Sequence, residues 1–180
     1  MVASSSLLAQ NPTSSAMARV ALPPHRSGFQ HRKTLHAVYD STSDSTRLSV
    51  VTHAGKYFLT VQRPRLTWTA SYAGRVPGAA PPEEIVLEFR TQSPQTALSS
   101  LLVIEYGENG RLQVRSAGAY SEPGVRTWSH FMRFRVPRAA LAGALTSDRM
   151  VVTVGGVEAK FKPDQVEALR DLLSRVEAGR

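Results

Sequence analysis

The feature that most restricts the fold is the alternation of apolar and polar side chains along several short segments. In the segment from Arg65 to Tyr72, every second residue is apolar and the residues between them are polar. The same period of two recurs in residues 84–90 and 127–136. Because successive side chains of a β-strand point to opposite faces of its sheet, this pattern predicts strands with one buried face. We therefore expect a mainly β fold.

Glycine-containing turns predict two tight hairpins. Asn109-Gly110 separates the apolar segments 101–106 and 111–115, and Asn-Gly supplies the positive φ angles that a tight turn needs. Gly155-Gly156 separates two further short apolar segments in the same way. A third hairpin is predicted over residues 47–63. Since short turns join neighbouring antiparallel strands, the predicted pairing is mostly antiparallel.

The end of the chain has the period of a helix. From residue 163 to residue 177, five apolar residues recur at a spacing that places them on one stripe: Val166, Leu169, Leu172, Leu173 and Val176. Pro163 suits the first turn of this helix. A shorter helix is predicted over residues 137–145. The whole pattern predicts an antiparallel β-sandwich or half-open barrel, with the short helix and the C-terminal amphipathic helix packed on it.

Composition divides the chain into two parts. Residues 1–33 show no apolar period and contain four basic residues but no acidic one. We interpret them as a disordered leader, or as the remnant of a signal peptide followed by a tether. Residues 34–180 are predicted to form a single β-rich domain, in which the segment 73–83, rich in proline and glycine, is a long loop.

The first residues bear on localisation. Residues 2–10 resemble the second half of a secretory signal peptide, although the basic segment that begins such peptides is missing. One interpretation is an exported protein whose true start lies upstream of Met1, which predicts a periplasmic or secreted protein. The other is an ordinary leader on a cytoplasmic protein. No stretch approaches the roughly 18 apolar residues of a membrane-spanning helix, so no transmembrane segment is predicted.

About the last forty residues contain a proline and a short helical turn, then a strand, the Gly155-Gly156 turn, a second strand and the closing helix. In this order of elements they resemble the end of some uncharacterised bacterial exported β-rich domains. The resemblance includes no catalytic motif. It therefore implies an architecture and a compartment, and no activity.

Motifs that would indicate catalysis or metal binding are not found in the sequence. Without cysteine there are no disulfides, zinc–thiolate sites or thiol nucleophiles. Three histidines are six and five residues apart, which is not a zinc pattern: His25, His31 and His36. Gly118–Pro123 is not the Gly-x-Ser-x-Gly turn of a hydrolase, and Gly155-Gly156 lacks the lysine and helix of a phosphate loop. We predict no catalytic residue, metal or cofactor.

Two further features have ordinary structural interpretations. The segment Asp40–Asp44 begins like a calcium loop, but it lacks the required glycine and the bidentate glutamate, so we predict an Asx turn. His130 lies on the apolar face of its predicted strand, beside Trp128 and Met132. It is interpreted as a core histidine.

One group of residues indicates a ligand. The chain has a net charge of +8, and four arginines lie near the longest predicted strand: Arg126, Arg133, Arg135 and Arg138. Aromatic residues expected beside them are Trp68, Tyr72 and Tyr120. Stacking aromatics beside a basic sheet face hold single-stranded nucleic acids. Solvated arginines that prevent edge pairing are the alternative interpretation.

Two functions follow from the sequence, and an enzyme with a cleft under the 73–83 loop is a distant third. The first is an exported, non-enzymatic binding or structural domain, whose partner would be an envelope protein or an acidic ligand. The second is a basic module that binds single-stranded nucleic acid. The first rests on the signal-like residues 2–10, and the second on the charge and the aromatic residues.

Overall fold

The computed structural model describes residues 17–24, 28–53, 64–77 and 80–177. Within these ranges the chain forms ten strands and two helices. In chain order they are β1 (Met17–Arg19), β2 (Leu35–Asp40), β3 (Ser45–His53), β4 (Arg65–Ala73), β5 (Glu84–Ser93), β6 (Leu101–Tyr106), β7 (Gly110–Pro123), β8 (Trp128–Pro137), α1 (Arg138–Ala144), β9 (Met150–Val154), β10 (Val157–Lys160) and α2 (Pro163–Glu177).

The described strands form one antiparallel sheet in the order β1-β2-β3-β4-β5-β8-β7-β6-β9-β10. The long strand β7 pairs with two strands. Its residues 110–115 pair with β6, and its residues 118–123 pair with β8 after a register shift. Among the described strands, none pairs with residues 118–123 on their other side, so this part of β7 is an open edge. The predicted mainly β, antiparallel architecture is confirmed, and the sheet is not closed into a barrel.

The core lies between one face of the sheet, here called the inner face, and the two helices. Register aligns buried side chains across strands: Trp68 lies opposite Val50 on one side and Leu87 on the other, and all three are fully buried. The ring of Phe161 meets Trp68 edge to face, with centroids 6.3 Å apart. The predicted apolar stripe of α2 is buried throughout, and α2 lies against β3 and β4. The opposite side of the sheet is called the outer face.

The turns confirm most of the local predictions and correct one. Gly155 and Gly156 have φ angles of 60° and 83° and close the β9–β10 hairpin as expected. The β6–β7 hairpin is also present, but its positive φ of 59° belongs to Gly107, so the role assigned to Asn109-Gly110 was wrong. A Cβ on Gly110 would overlap the ring of Tyr106, so glycine is needed there for space and not for its φ angle.

The loop between β2 and β3 is the predicted Asx turn. The backbone N–H of Thr42 donates to Oδ1 of Asp40 at 3.0 Å. This hydrogen bond stabilises the ionised carboxylate and lowers the pKa of Asp40. A calcium loop is not needed to explain these residues.

The described parts of the predicted leader belong to the fold. Strand β1 pairs with β2, so Met17 lies opposite Asp40. Residues 28–33 run along α2, where the backbone N–H groups of Gln30 and Arg32 donate to Glu167 and Asp164 at 2.9 and 2.7 Å. These contacts lie on the leader side of the boundary predicted at residue 33, which stays a prediction. The signal-like residues 2–10 and most of the predicted third hairpin, residues 54–63, lie outside the described ranges.

Candidate functional site

Five side chains of the outer face form one row across neighbouring strands. The register of β3, β4, β5, β8 and β7 places them directly opposite one another in the order His53, Arg65, Arg90, Phe131 and Tyr120. At a strand spacing of about 4.8 Å, the row is about 19 Å long. We call it the cross-strand row. One end of it is basic and the other is aromatic.

The aromatic end is a stack of three groups. The rings of Tyr120 and Phe131 are nearly parallel, with an interplanar angle of 12° and centroids 4.6 Å apart. On the side of Phe131 towards β5, Cζ of Arg90 lies 4.6 Å from the ring centroid. Tyr120 is 58% exposed and lies on the open edge of β7. An aromatic ligand can therefore extend the stack beyond Tyr120.

The basic end contains two arginines without a counter-charge among the described residues. Arg65 and Arg90 are a directly opposed pair of β4 and β5, an arrangement that is unfavourable for like charges. In the described part of the chain, no carboxylate lies within ion-pair distance of either. By contrast, Arg133 lies 2.8 Å from Glu88, and Arg135 lies 3.6 Å from Glu84. The row is therefore more positive than the rest of the outer face around it.

Two neighbouring cavities open along the row. The larger, here called the groove, has a volume of about 740 Å³ and includes Arg65, Arg90, Phe131 and Tyr120 in its lining. The smaller, here called the small cavity, has a volume of about 410 Å³ and shares Arg65, Arg90 and Phe131 with the groove. Both volumes fall within the range of about 300–1,000 Å³ that is usual for ligand sites.

Two of the aromatic residues predicted for the site lie elsewhere. Trp68 and Tyr72 are 0% and 7% exposed and belong to the inner face. Burial raises the pKa of the Tyr72 hydroxyl, because the ionised form is poorly solvated there. These two rings pack in the core and cannot stack on a ligand of the outer face, so the prediction for them was wrong. Tyr120, named with them, does lie at the site.

The four predicted arginines are dispersed. Arg133 and Arg135 lie on the outer face as expected, and Arg133 lines the groove. Arg126 is exposed in the turn between β7 and β8. Arg138 begins α1 and forms an ion pair with Glu177 at the end of α2, so its contact joins the two helices.

Four residues of the row were missed in the sequence: His53, Arg65, Arg90 and Phe131. The alternation that places their neighbours inward also places the two arginines and Phe131 outward, and a phenylalanine between the outward residues Ser129 and Arg133 was the available signal. The pairing of Arg65 with Arg90 depends on the register of β4 with β5 across residues 74–83. That register cannot be derived from either strand alone.

The position of His130 confirms the prediction that it is a core histidine. It is fully buried, its Nδ1 lies 2.8 Å from Oγ of Ser121, and its Nε2 lies 3.0 Å from Oγ of Ser93. Both ring nitrogens thus have hydroxyl partners. Neither of these partners is a carboxylate that would stabilise an imidazolium, so the group is suited to a structural role.

The described residues offer no group of three or more histidine, cysteine or acidic side chains that could hold a metal ion. In the same ranges, neither α1 nor α2 has the length and apolar character needed to cross a membrane. No family model, curated protein or solved structure matches this chain. The resemblance of its last residues to exported domains therefore stays a prediction, and the case for function rests on the outer face.

Proposed function

We propose that this protein is a non-enzymatic binding domain that holds a single-stranded nucleic acid in the groove of its outer face. The observation that supports this proposal is the cross-strand row, in which an aromatic stack adjoins two arginines without a described counter-charge. Single-stranded bases stack on aromatic side chains, and their phosphates are neutralised by arginine. The row offers both kinds of group within about 19 Å.

The stack defines how a base would be held. Phe131 is flanked by Arg90 on one side and Tyr120 on the other, so its contacts fix the position of the Tyr120 ring. A base then stacks on the outward side of Tyr120, at the open edge of β7. Every base has a flat face, so this contact tolerates all sequences. In a duplex the bases already stack on one another, which favours single strands.

The charge of the row distinguishes a nucleic acid from other partners. An acidic ligand without rings would use Arg65 and Arg90 but leave Tyr120 without a contact. A purely apolar partner would leave the two arginines without a counter-charge. The net charge of +8 attracts any polyanion from a distance and accelerates its association. Of the two functions predicted from the sequence, nucleic-acid binding accounts for more of the row.

The test is the affinity of the purified protein for a fluorescently labelled single strand of about 12 nucleotides, measured by anisotropy. Tyr120→Ala should weaken binding by about 1–3 kcal/mol, or about 5- to 150-fold, because one base loses its stacking partner. Tyr39→Ala is the matched control. The ring of Tyr39 also lies against an arginine, with Cζ of Arg75 at 4.6 Å, but it is outside the groove.

Salt provides a second readout from the same assay. Arginines that neutralise phosphates of a single strand give a slope of log K against log salt of about −0.7 for each phosphate, so each phosphate that Arg65 and Arg90 hold should contribute about −0.7. Equal affinity for a duplex of the same sequence, or equal losses in the Tyr120 and Tyr39 variants, would contradict the proposal.

A further inference from the structure

The small cavity beside the groove is lined by hydrogen-bond donors. Two guanidinium groups, the amide of Gln92 and the hydroxyl of Ser129 belong to its lining, together with His53. No aspartate or glutamate is among the described residues that line it, whereas Glu88 belongs to the lining of the groove. A cavity with several donors and no carboxylate is suited to an anion.

The arrangement of the two arginines narrows the class of anion. Arg65 and Arg90 lie on neighbouring strands about 4.8 Å apart, directly opposite each other. An anion between them replaces a repulsion with two attractions. The planar fork of a guanidinium donates two parallel N–H groups, which matches the oxygen atoms of a phosphate. Gln92 and Ser129, a directly opposed pair of β5 and β8, lie at the next outward positions of their strands and provide further donors.

We infer that the small cavity is a phosphate subsite, in which Arg65 and Arg90 hold one backbone phosphate of the strand whose base stacks on Tyr120. This inference rests on the proposed function and states which part of the site takes the phosphate. Two strand spacings, about 10 Å, separate Arg90 from Tyr120. The bound phosphate and the stacked base therefore belong to different nucleotides, and the nucleic acid crosses the strands of the sheet.

The first experiment uses inorganic phosphate as the probe. In ¹H–¹⁵N NMR spectra at constant ionic strength, phosphate should cause saturable shifts in the amides of residues 65–67 and 90–93. The double variant Arg65→Gln, Arg90→Gln should lose these shifts. Arg111→Gln, which removes an exposed arginine at the far end of β7, should keep them. Absence of saturable shifts, or equal shifts in the double variant, would overturn the inference.

Folding of the variants is checked in the same spectra. All three arginines are exposed, so their replacement should leave the amide pattern of the core strands unchanged. A double variant that retains this pattern and loses the phosphate shifts supports the subsite. For a double variant that loses the pattern, the single variants replace it, each with an expected loss of about tenfold in phosphate affinity. Single variants with unchanged affinity would also overturn the inference.

An abasic deoxyribose-phosphate oligomer separates a backbone phosphate from free phosphate. If the subsite takes a backbone phosphate, the oligomer displaces inorganic phosphate. If the oligomer does not, the cavity binds only the free ion and the inference is wrong. A protein that binds the labelled strand through Tyr120 but shows no phosphate shifts would refute the subsite alone. One that binds phosphate but no strand would refute the proposed function.

Discussion

The two glycines of the β9–β10 turn have the same backbone requirement but different surroundings. Both have positive φ angles, which cost a residue with a Cβ about 1–2 kcal/mol. A Cβ on Gly155 would also lie 2.7 Å from Cβ of Leu98, whereas a Cβ on Gly156 would meet nothing within 4 Å among the described residues. Gly155→Ala should therefore lower the free energy of unfolding more than Gly156→Ala.

Urea denaturation of the two variants measures this difference. Gly156→Ala gives the cost of the φ angle alone, and the additional loss in Gly155→Ala is the cost of the contact with Leu98, about 1–3 kcal/mol for an overpacked site. Equal losses of unfolding free energy in the two variants would show that Leu98 moves aside freely. The loop between β5 and β6, which contains Leu98, would then not be packed on the turn.

At the scale of single residues, alternation predicted which side chains share a face but not what each face does. Leu66, Trp68 and Tyr72 were placed together, and all three are buried. Trp and Tyr have a polar atom as well as a large apolar ring, so they occur both in cores and at binding sites. Of the two rings that do lie at the site, Phe131 stands in sequence between His130 and Met132, which belong to the apolar face. Its role became visible only when the register placed it between Arg90 and Tyr120.

At the scale of elements, the C-terminal helix α2 packs on the sheet through its apolar stripe, as its sequence predicted. Leu169 and Leu172 are fully buried where α2 packs on the sheet. Leu169→Ala or Leu172→Ala should each lower the free energy of unfolding by about 2–5 kcal/mol, because the truncated side chain leaves a cavity. Lys162→Ala, just before the helix and exposed, should change it by less than about 0.5 kcal/mol. Thermal or urea unfolding of the three variants checks this.

Near-zero losses in both leucine variants would mean that α2 contributes little to the stability of the sheet. A large loss in Lys162→Ala would point instead to a role for the residues that lead into the helix. Comparing the three variants thus separates the stability that the buried leucines contribute from the stability that the residue before the helix contributes.

Elements fixed by neighbouring residues could be predicted, and those fixed by distant pairing could not. The β6–β7 and β9–β10 hairpins and both helices follow from local turns and periods. The pairing of β5 with β8, which brings Arg90 beside Phe131, crosses a whole hairpin in sequence. The division of β7 between β6 and β8 joins neighbours in sequence, but its register shift between Ser116 and Gly118 is not specified by β7 alone. These pairings depend on which faces are buried together, which one strand does not specify.

At the scale of the molecule, residues 28–33 lie along α2 and are here called the strap. From the sequence, the same residues were predicted to be part of a leader. The contacts of the strap with α2 are made by backbone N–H groups and by polar side chains, so they leave no apolar period in the sequence. His31 Nε2 lies 3.0 Å from Oδ2 of Asp171, and Arg175 also donates to that carboxylate. The acceptors belong to a helix more than a hundred residues away, and their relation to the strap depends on the complete fold.

The strap can be tested with two histidines that differ in burial. The side chains of His31 and Asp171 are only 8% and 4% exposed, so His31→Ala removes a hydrogen bond to a carboxylate within a buried site. Since such bonds contribute about 1.5–3 kcal/mol, the free energy of unfolding in urea should fall by a comparable amount. His36→Ala, at an exposed position of β2, should change it by less than about 0.5 kcal/mol. If residues 28–33 were a tether, as the sequence suggested, the two variants would be equally stable. A loss confined to His31→Ala would instead show that the domain begins before residue 34, because a tether has no free energy of packing to lose.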